Sequence, residues 1–302
     1  MNQQNTISDT RRTLAVGWFD NAPFREICEK YANRIKEVFF AWPGVTASRP
    51  MAPWTPERKE LIYADLAWCR ENGIALDAIF NANCYGAKAQ ARSFFAEIGE
   101  TIERFADGAL TGVTTTSPLI AKFVKDNFPQ LETRASVNME IGTEEGMDYM
   151  GDLFDGFYLK RELNRDLAAV RRIKGWCDAH GKSLYILANS GCLNFCSSHV
   201  FHDNLVAHEA EIAREDNGYA YGGTCWTWLA RPENRAKWME RTNWIAPEDV
   251  PKYEGLCTAM KLATRINAHP VRILESYATG SHIGNVMSLL EPDHSALFST
   301  RG

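Results

Sequence analysis

The sequence contains no uninterrupted apolar run of about eighteen residues, the length a membrane-crossing helix needs. Its opening, MNQQNTISDTRRTLAVGWFD, lacks the apolar centre of a secretion signal. A cytoplasmic protein without membrane spans is the expectation. An excess of positive charge is missing as well, because 33 Lys and Arg face 38 Asp and Glu, for a net charge of -5. No basic face is legible that would neutralise a phosphate backbone, so a nucleic-acid partner is disfavoured. Also absent are a GxSxG elbow, an HExxH helix and the glycine-rich first turn of a dinucleotide-binding fold. Those absences remove the usual signatures of serine hydrolases, zinc peptidases and NAD enzymes.

What the chain does have is repetition. Short β-rich apolar runs alternate with longer amphipathic stretches, at 13–19, 37–42, 75–82, 110–116, 133–139, 156–161, 183–189 and 257–263. Eight strand–helix pairs in 302 residues predict a single α/β domain spanning 1–302, a closed (β/α)8 TIM-like barrel. The helix after strand six, NRDLAAVRRIKGWCDAHG, has Asn164 as a candidate cap at its start and Gly181 at its end. Residues 190–256 form an insertion between strands seven and eight, bearing cysteines first and then aromatics.

Barrels of this kind carry their chemistry where strands end and the following loops begin. That rule collects Cys84, Asn138, Glu140, Arg161, Glu162, Asn189, Cys192, Cys196 and Arg265 on one rim. The eight cysteines are expected as thiols in a reducing compartment. Cys28, Cys69 and Cys177 fall in helical patterns and are expected to pack as small hydrophobes. Cys192 and Cys196, four apart where a loop opens, would turn both sulfurs to one side, which suits zinc or an iron–sulfur centre. Cys84 and Cys225 could complete a four-thiolate set, and spacing alone leaves the metal open. His199, His202 and His208 follow at helical intervals, and His202 is the candidate to face the site.

Beyond these single residues the chain carries an ordered series of motifs. The strings FDGFYLKRELNRDL, LYILANSGCLNFC and HDN are followed by WIAPEDVPKYEG and MKLATR. They present Arg161–Glu162, then Asn189, Gly191, Cys192 and Cys196, then Ile245, Pro247, Glu248 and Asp249, then Lys261 and Arg265. In this order they resemble the peptidase U32 family, over about residues 75–285. Ser197 stands where many of that family have proline. Several members look like oxygen-independent hydroxylases of tRNA, ribosomal RNA or the ubiquinone ring, with a 4Fe-4S cluster on the barrel rim. The resemblance thus implies such a cluster on Cys192, Cys196, Cys225 and Cys84, with Cys257 in reserve.

The implied activity is hydroxylation or a related redox modification of a small molecule or peptide. Arg161 and Arg265 would hold acidic portions of the substrate, and Glu140 or His202 would move protons. A rim ion pair without substrate contact is the plainer reading of Glu140 and Arg161. Two alternatives stand beside the enzyme reading. One is a U32-type peptidase, and the other is a non-catalytic, cluster-bearing subunit of a heterodimer. Among the tryptophans of 212–244, Trp226 and Trp228 flank Cys225 and are the expected cavity residues. The remainder are expected to pack a capping lid on the barrel.

Overall fold

Short apolar, β-rich runs become strands here, and strands arranged in chain order become a cylinder. The computed structural model describes residues 12–44, 47, 53–105 and 109–298. Its strands are β1 (Leu14–Gly17), β2 (Ile35–Phe40), β3 (Ala75–Phe80), β4 (Leu110–Thr115), β5 (Glu132–Ala135), β6 (Gly156–Tyr158), β7 (Ser183–Leu187) and β8 (Ala259–Leu262). All neighbours pair in parallel, and β1 closes on β8 with Leu14 opposite Met260 and Val16 opposite Leu262. The chain therefore forms the expected (β/α)8 barrel.

The helices that follow the strands are α1 (Phe24–Lys30), α2 (Pro56–Glu71), α3 (Arg92–Phe105), α4 (Pro118–Asn127), α5 (Glu144–Asp148) and α6 (Leu167–Ala179). Local chemistry starts several of them. Thr55 and Ser117 each stand before a proline and accept a hydrogen bond from the backbone N–H three residues on, at Arg58 and Ile120. The α6 helix is capped not by Asn164 but by Asp166, whose carboxylate accepts from both Ala168 and Ala169 N–H. Asn164 is instead buried, donating to the carbonyls of Leu187 and Asn243.

Alternate positions along each strand face opposite sides. Val38, Phe40, Leu76, Phe80, Ile186 and Leu262 pack outward under the helices, whereas Ala15, Phe39, Ile79, Tyr158, Tyr185 and Ala259 form a separate cluster inside the barrel. Deeper in that interior the chain buries charge. Arg134 Nη1 lies 2.8 Å from Glu37 and 3.9 Å from Asp77, and Nη2 lies 2.9 Å from Glu132. The guanidinium needs the space above Gly112, because a Cβ there would sit 2.8 Å from its central carbon. Burial pushes the Asp77 carboxyl up to about 6, against the opposing pull of Arg134.

Strands β5 and β6 stop earlier than their sequence patterns suggest. At Ser136 the chain turns into a 3-10 segment, with the Ser136 hydroxyl accepting from Asn138 N–H. Asn138, Glu140, Arg161 and Glu162 consequently sit on the loops beyond the strand ends. Between β7 and β8 the insertion carries α7 (His199–Ala207), α8 (Glu209–Ile212), α9 (Thr224–Leu229), α10 (Pro232–Arg235), α11 (Trp238–Arg241) and a 3-10 segment, Pro247–Tyr253. After β8 come α12 (Pro270–Thr279) and α13 (Ser295–Phe298). Leu229, Trp238 and Trp244 of the insertion pack with Leu290 of this last segment in a small core of their own.

Candidate functional site

The C-terminal mouth of the barrel holds a cavity of about 110 Å³. Asn138, Arg161, Cys192, His202, Lys261 and Arg265 are on its wall, so four loops and one strand contribute. Trp226 and Trp228 do not line it. Trp226 packs edge-on to His294, and Trp228 leans on the small core of the insertion.

Arg161 organises the rim. Its Nη2 donates to Asn138 Oδ1 at 2.6 Å, and its Nη1 lies 3.0 Å from Glu140 Oε1 and 2.7 Å from His199 Nε2. A guanidinium can only donate, so Nε2 must accept and the imidazole proton sits on Nδ1. That nitrogen is 3.3 Å from Glu140 Oε1. Burial, then the neighbouring Arg161 charge, holds His199 below the ordinary histidine range. Because Nε2 presents a lone pair, the Asp203 Oδ2 that stands 3.4 Å away finds no donor there, and it is buried without a hydrogen-bond partner.

Donor atoms of Glu140, Glu162 and His199 all lie within 4.8 Å of one another, close enough for a single cation. Arg161 already supplies the positive charge at that point, bonded to two of the three. The cluster reads better as an arginine clamp. Its cost is visible in the backbone: Glu140 adopts a left-handed conformation at φ 56°. Among the described residues the other non-glycine with positive φ is Phe195, also at 56°. Phe195 lies between Cys192 and Cys196, so both sites of backbone strain are on this rim.

The turn at Phe195 carries the cysteine loop back on itself. Asn243 N–H donates to Cys192 O, and the Cys196 carbonyl accepts from His199 N–H at the start of α7. Cys225, on α9, is nearly buried; its thiol is pushed up to about 11 by burial, then by Cys192 and Cys196. Those three thiols therefore share one electrostatic neighbourhood. A Cβ added at Gly223 would meet Cys225 Sγ at 3.6 Å and the His202 ring at 3.8 Å, which places His202 beside the same set.

Cys84 stands apart. Its thiol is drawn below the ordinary range by His208 first and then by the N–H of Gly86, with no cysteine among the groups acting on it. Cys28, Cys69 and Cys177 are buried in helices. Cys257 precedes β8, at the opposite end of the barrel, beside Thr13 and Met260.

Two residues of the mouth have weak signals in the sequence. His199 looks like one member of a helical row, yet it is the imidazole bound to Arg161. Lys261 is the one lysine inside an otherwise apolar strand, AMKL. It is almost fully buried, with Nζ 3.9 Å from the centre of the Phe39 ring and 4.9 Å from that of Tyr158.

No protein-family model and no curated protein sequence matches the chain. Solved structures do. The U32 peptidase Mk0906 superposes with a TM-score of 0.58 at 13% identity, over 86% of this chain and 95% of that one. A glycerophosphodiester phosphodiesterase from Parabacteroides distasonis gives 0.42 at 10% identity, over 67% and 96%. A family 5 mannosidase from Rhizomucor miehei gives 0.38 at 10%, over 58% and 67%. The chain thus has the fold of a U32 peptidase along nearly the whole length of both proteins.

Proposed function

We propose that this chain is a U32-type iron–sulfur enzyme that modifies a small acidic molecule or peptide at the barrel mouth, by oxygen-independent hydroxylation or a related redox step. The observation that carries the reading is the convergence of Cys192, Cys196 and Cys225 beside a cavity walled by Arg161 and Arg265. Four thiolates on one zinc, each at about 2.3 Å, would stand roughly 4 Å apart. Among the described residues no set of three or more donor atoms within 4.8 Å of one another includes a cysteine, so the three thiols are not gathered that tightly about a single ion, which favours a polynuclear centre.

Cys192, Cys196 and Cys225 would hold a 4Fe-4S cluster, with the fourth position open to His202 or substrate and Cys84 left to its histidine. When bound, such a cluster supplies one-electron transfer and a polarising charge at the mouth. The chain's own groups do the rest. Arg265 and Arg161 attract and orient a carboxylate. Glu140, beside the Nδ1 of neutral His199, and His202, which faces the cavity from the next turn of α7, would move protons. Phe39, Ile79 and Tyr158 close the floor against water.

The test is iron and acid-labile sulfide on protein purified without oxygen, with its absorption spectrum, beside Cys→Ala variants at 84, 192, 196 and 225. About four irons per chain, lost at 192, 196 and 225 and retained at 84, is the expected result. Zinc, or no metal with all variants folded, would return the cysteines to a structural role.

A peptidase reading has one observation of its own. The His208 that acts on the Cys84 thiol has its Nδ1 2.7 Å from Glu211 Oε2, the order of nucleophile, base and carboxylate. That trio lies outside the cavity, and loss of peptide hydrolysis in Cys84→Ala would favour it.

A further inference from the structure

Lys261 is not used by the mechanism above, although it is the basic group of the mouth that a barrel strand rather than a loop carries. Its backbone belongs to β8, where its carbonyl accepts from Ala188 N–H. Its side chain points into the barrel, and its ammonium position is covered by the rings of Phe39 from β2 and Tyr158 from β6. Among the described residues no carboxylate lies within ion-pair distance of Nζ, and no side-chain hydrogen bond holds it. The nearest acids, Glu37 on β2 and Asp77 on β3, are engaged by Arg134 and, for Asp77, by the Thr114 hydroxyl. A lysine buried for structure alone would be expected to meet one of them. This one is instead turned towards the cavity, with Arg265 close by on the same wall.

We infer that Lys261 captures a carbonyl group, forming an imine with a small aldehyde- or keto-acid whose carboxylate is held by Arg265 and Arg161. This rests on the barrel mouth being the substrate site, and it names the substrate class: a compact oxo acid rather than a simple alcohol or amide. The step is balanced without an oxidant. The Nζ lone pair attacks the carbonyl carbon, the carbonyl π pair moves to oxygen, and a proton passes from nitrogen to that oxygen. A second proton then allows water to leave as the nitrogen pair forms the C=N bond. Amine, carbonyl compound and one proton give iminium and one water.

The groups that surround Nζ favour the free amine. Burial lowers Lys261 to about 8; Arg265 and Arg134 push the same way, and Asp77 and Glu37 oppose them. Tyr158, the other ionisable ring against it, is held neutral by its own burial. Near neutral pH such a lysine holds on the order of a hundredfold more free amine than an exposed one. The rings over it exclude water, which protects an iminium from hydrolysis.

The test uses the full chain with glyoxylate and cyanoborohydride near pH 7.5, and peptide mapping by mass spectrometry. The expected result is reduced adduct on Lys261 at least about tenfold faster than on exposed lysines such as Lys122 and Lys252. In Lys261→Met, which keeps the apolar stem on Phe39, the rapid adduct should vanish while circular dichroism is unchanged. Labelling spread evenly over all lysines, or rapid labelling that survives Lys261→Met, would overturn the inference. If that variant fails to fold, the site distribution in the unaltered chain decides alone. Iron is assayed in the same samples: adduct without iron sinks the cluster and spares Lys261, and iron without adduct does the reverse.

Discussion

Arg161 Nη1 lies 2.7 Å from His199 Nε2, and that contact sets the protonation of the rim. Since the imidazole accepts, the folded state holds it neutral at pH values where an unfolded chain would already bind a proton. Its folded pKa is lowered, so above the ordinary value near 6.5 it contributes no pH dependence. As pH falls below 6.5 the unfolded state takes up a proton the folded state refuses, and stability declines until the lowered folded value is passed. Arg161→Gln removes the second cause of the shift and leaves burial, the first. The His199 ring signal in NMR should then titrate at a higher pH than in the parent, and the acid limb of thermal stability should flatten. An unmoved titration would mean that Arg161 does not set the state of this imidazole.

Glu140 offers a separation of backbone from side chain. Both Glu140→Gly and Glu140→Ala remove the carboxylate from Arg161 and Lys160. Only glycine takes the left-handed backbone without a Cβ clash. The glycine variant should therefore be more stable than the alanine variant by about 1 kcal/mol in chemical denaturation. Equal stabilities would show that the turn relaxes when its ion pairs are gone.

The thiols should differ in reactivity in a defined order. Cys84 is drawn down by His208, whereas burial pushes Cys69 and Cys257 up to about 12 and raises Cys28 further. Iodoacetamide at pH 7 should label Cys84 well before those three, because the thiolate is the nucleophile. His208→Ala should slow the Cys84 reaction several-fold without altering the others. A Cys84 rate indifferent to His208 would remove the peptidase reading's only support.

The buried ion cluster predicts a large stability effect far from the mouth. Arg134→Met leaves Glu37 and Asp77, both almost wholly buried, without their cation. The loss should be about 3–5 kcal/mol by urea denaturation. Adding Glu37→Gln should recover part of it, since the damage comes from uncompensated charge rather than lost volume. No recovery would assign the damage to packing around Gly112.

The barrel could be read from the chain because short apolar, β-rich runs recur eight times between amphipathic stretches, separated by turn residues. Loop sites are harder to read, since their geometry depends on tertiary contacts that leave no period. The rim position of Arg161 follows from a strand end, but its bond to His199 joins loops 38 residues apart. Cys192 and Cys196 advertise themselves by spacing, and Cys225 by residue type. Cys84 has the right residue type and the right loop, yet His208, at the junction of α7 and α8, engages it. Lys261 is legible in the sequence as part of the Lys261–Arg265 motif, without a role attached to it. Its isolation from carboxylates depends on Arg134, on the far side of the same interior, having already bound them.

Gly191 sits against the chain that follows α12: a Cβ there would meet the Pro292 carbonyl at 2.7 Å, and Gly191 N–H donates to Glu291 O. Asn189 donates to Leu289 O across a sequence separation of 100 residues. On a ribosome adding about 5–20 residues per second, roughly 5–20 s pass between synthesis of the two sides. During that interval the cysteine loop lacks its second wall, so it can reach its final packing only after the chain beyond α12 has been made.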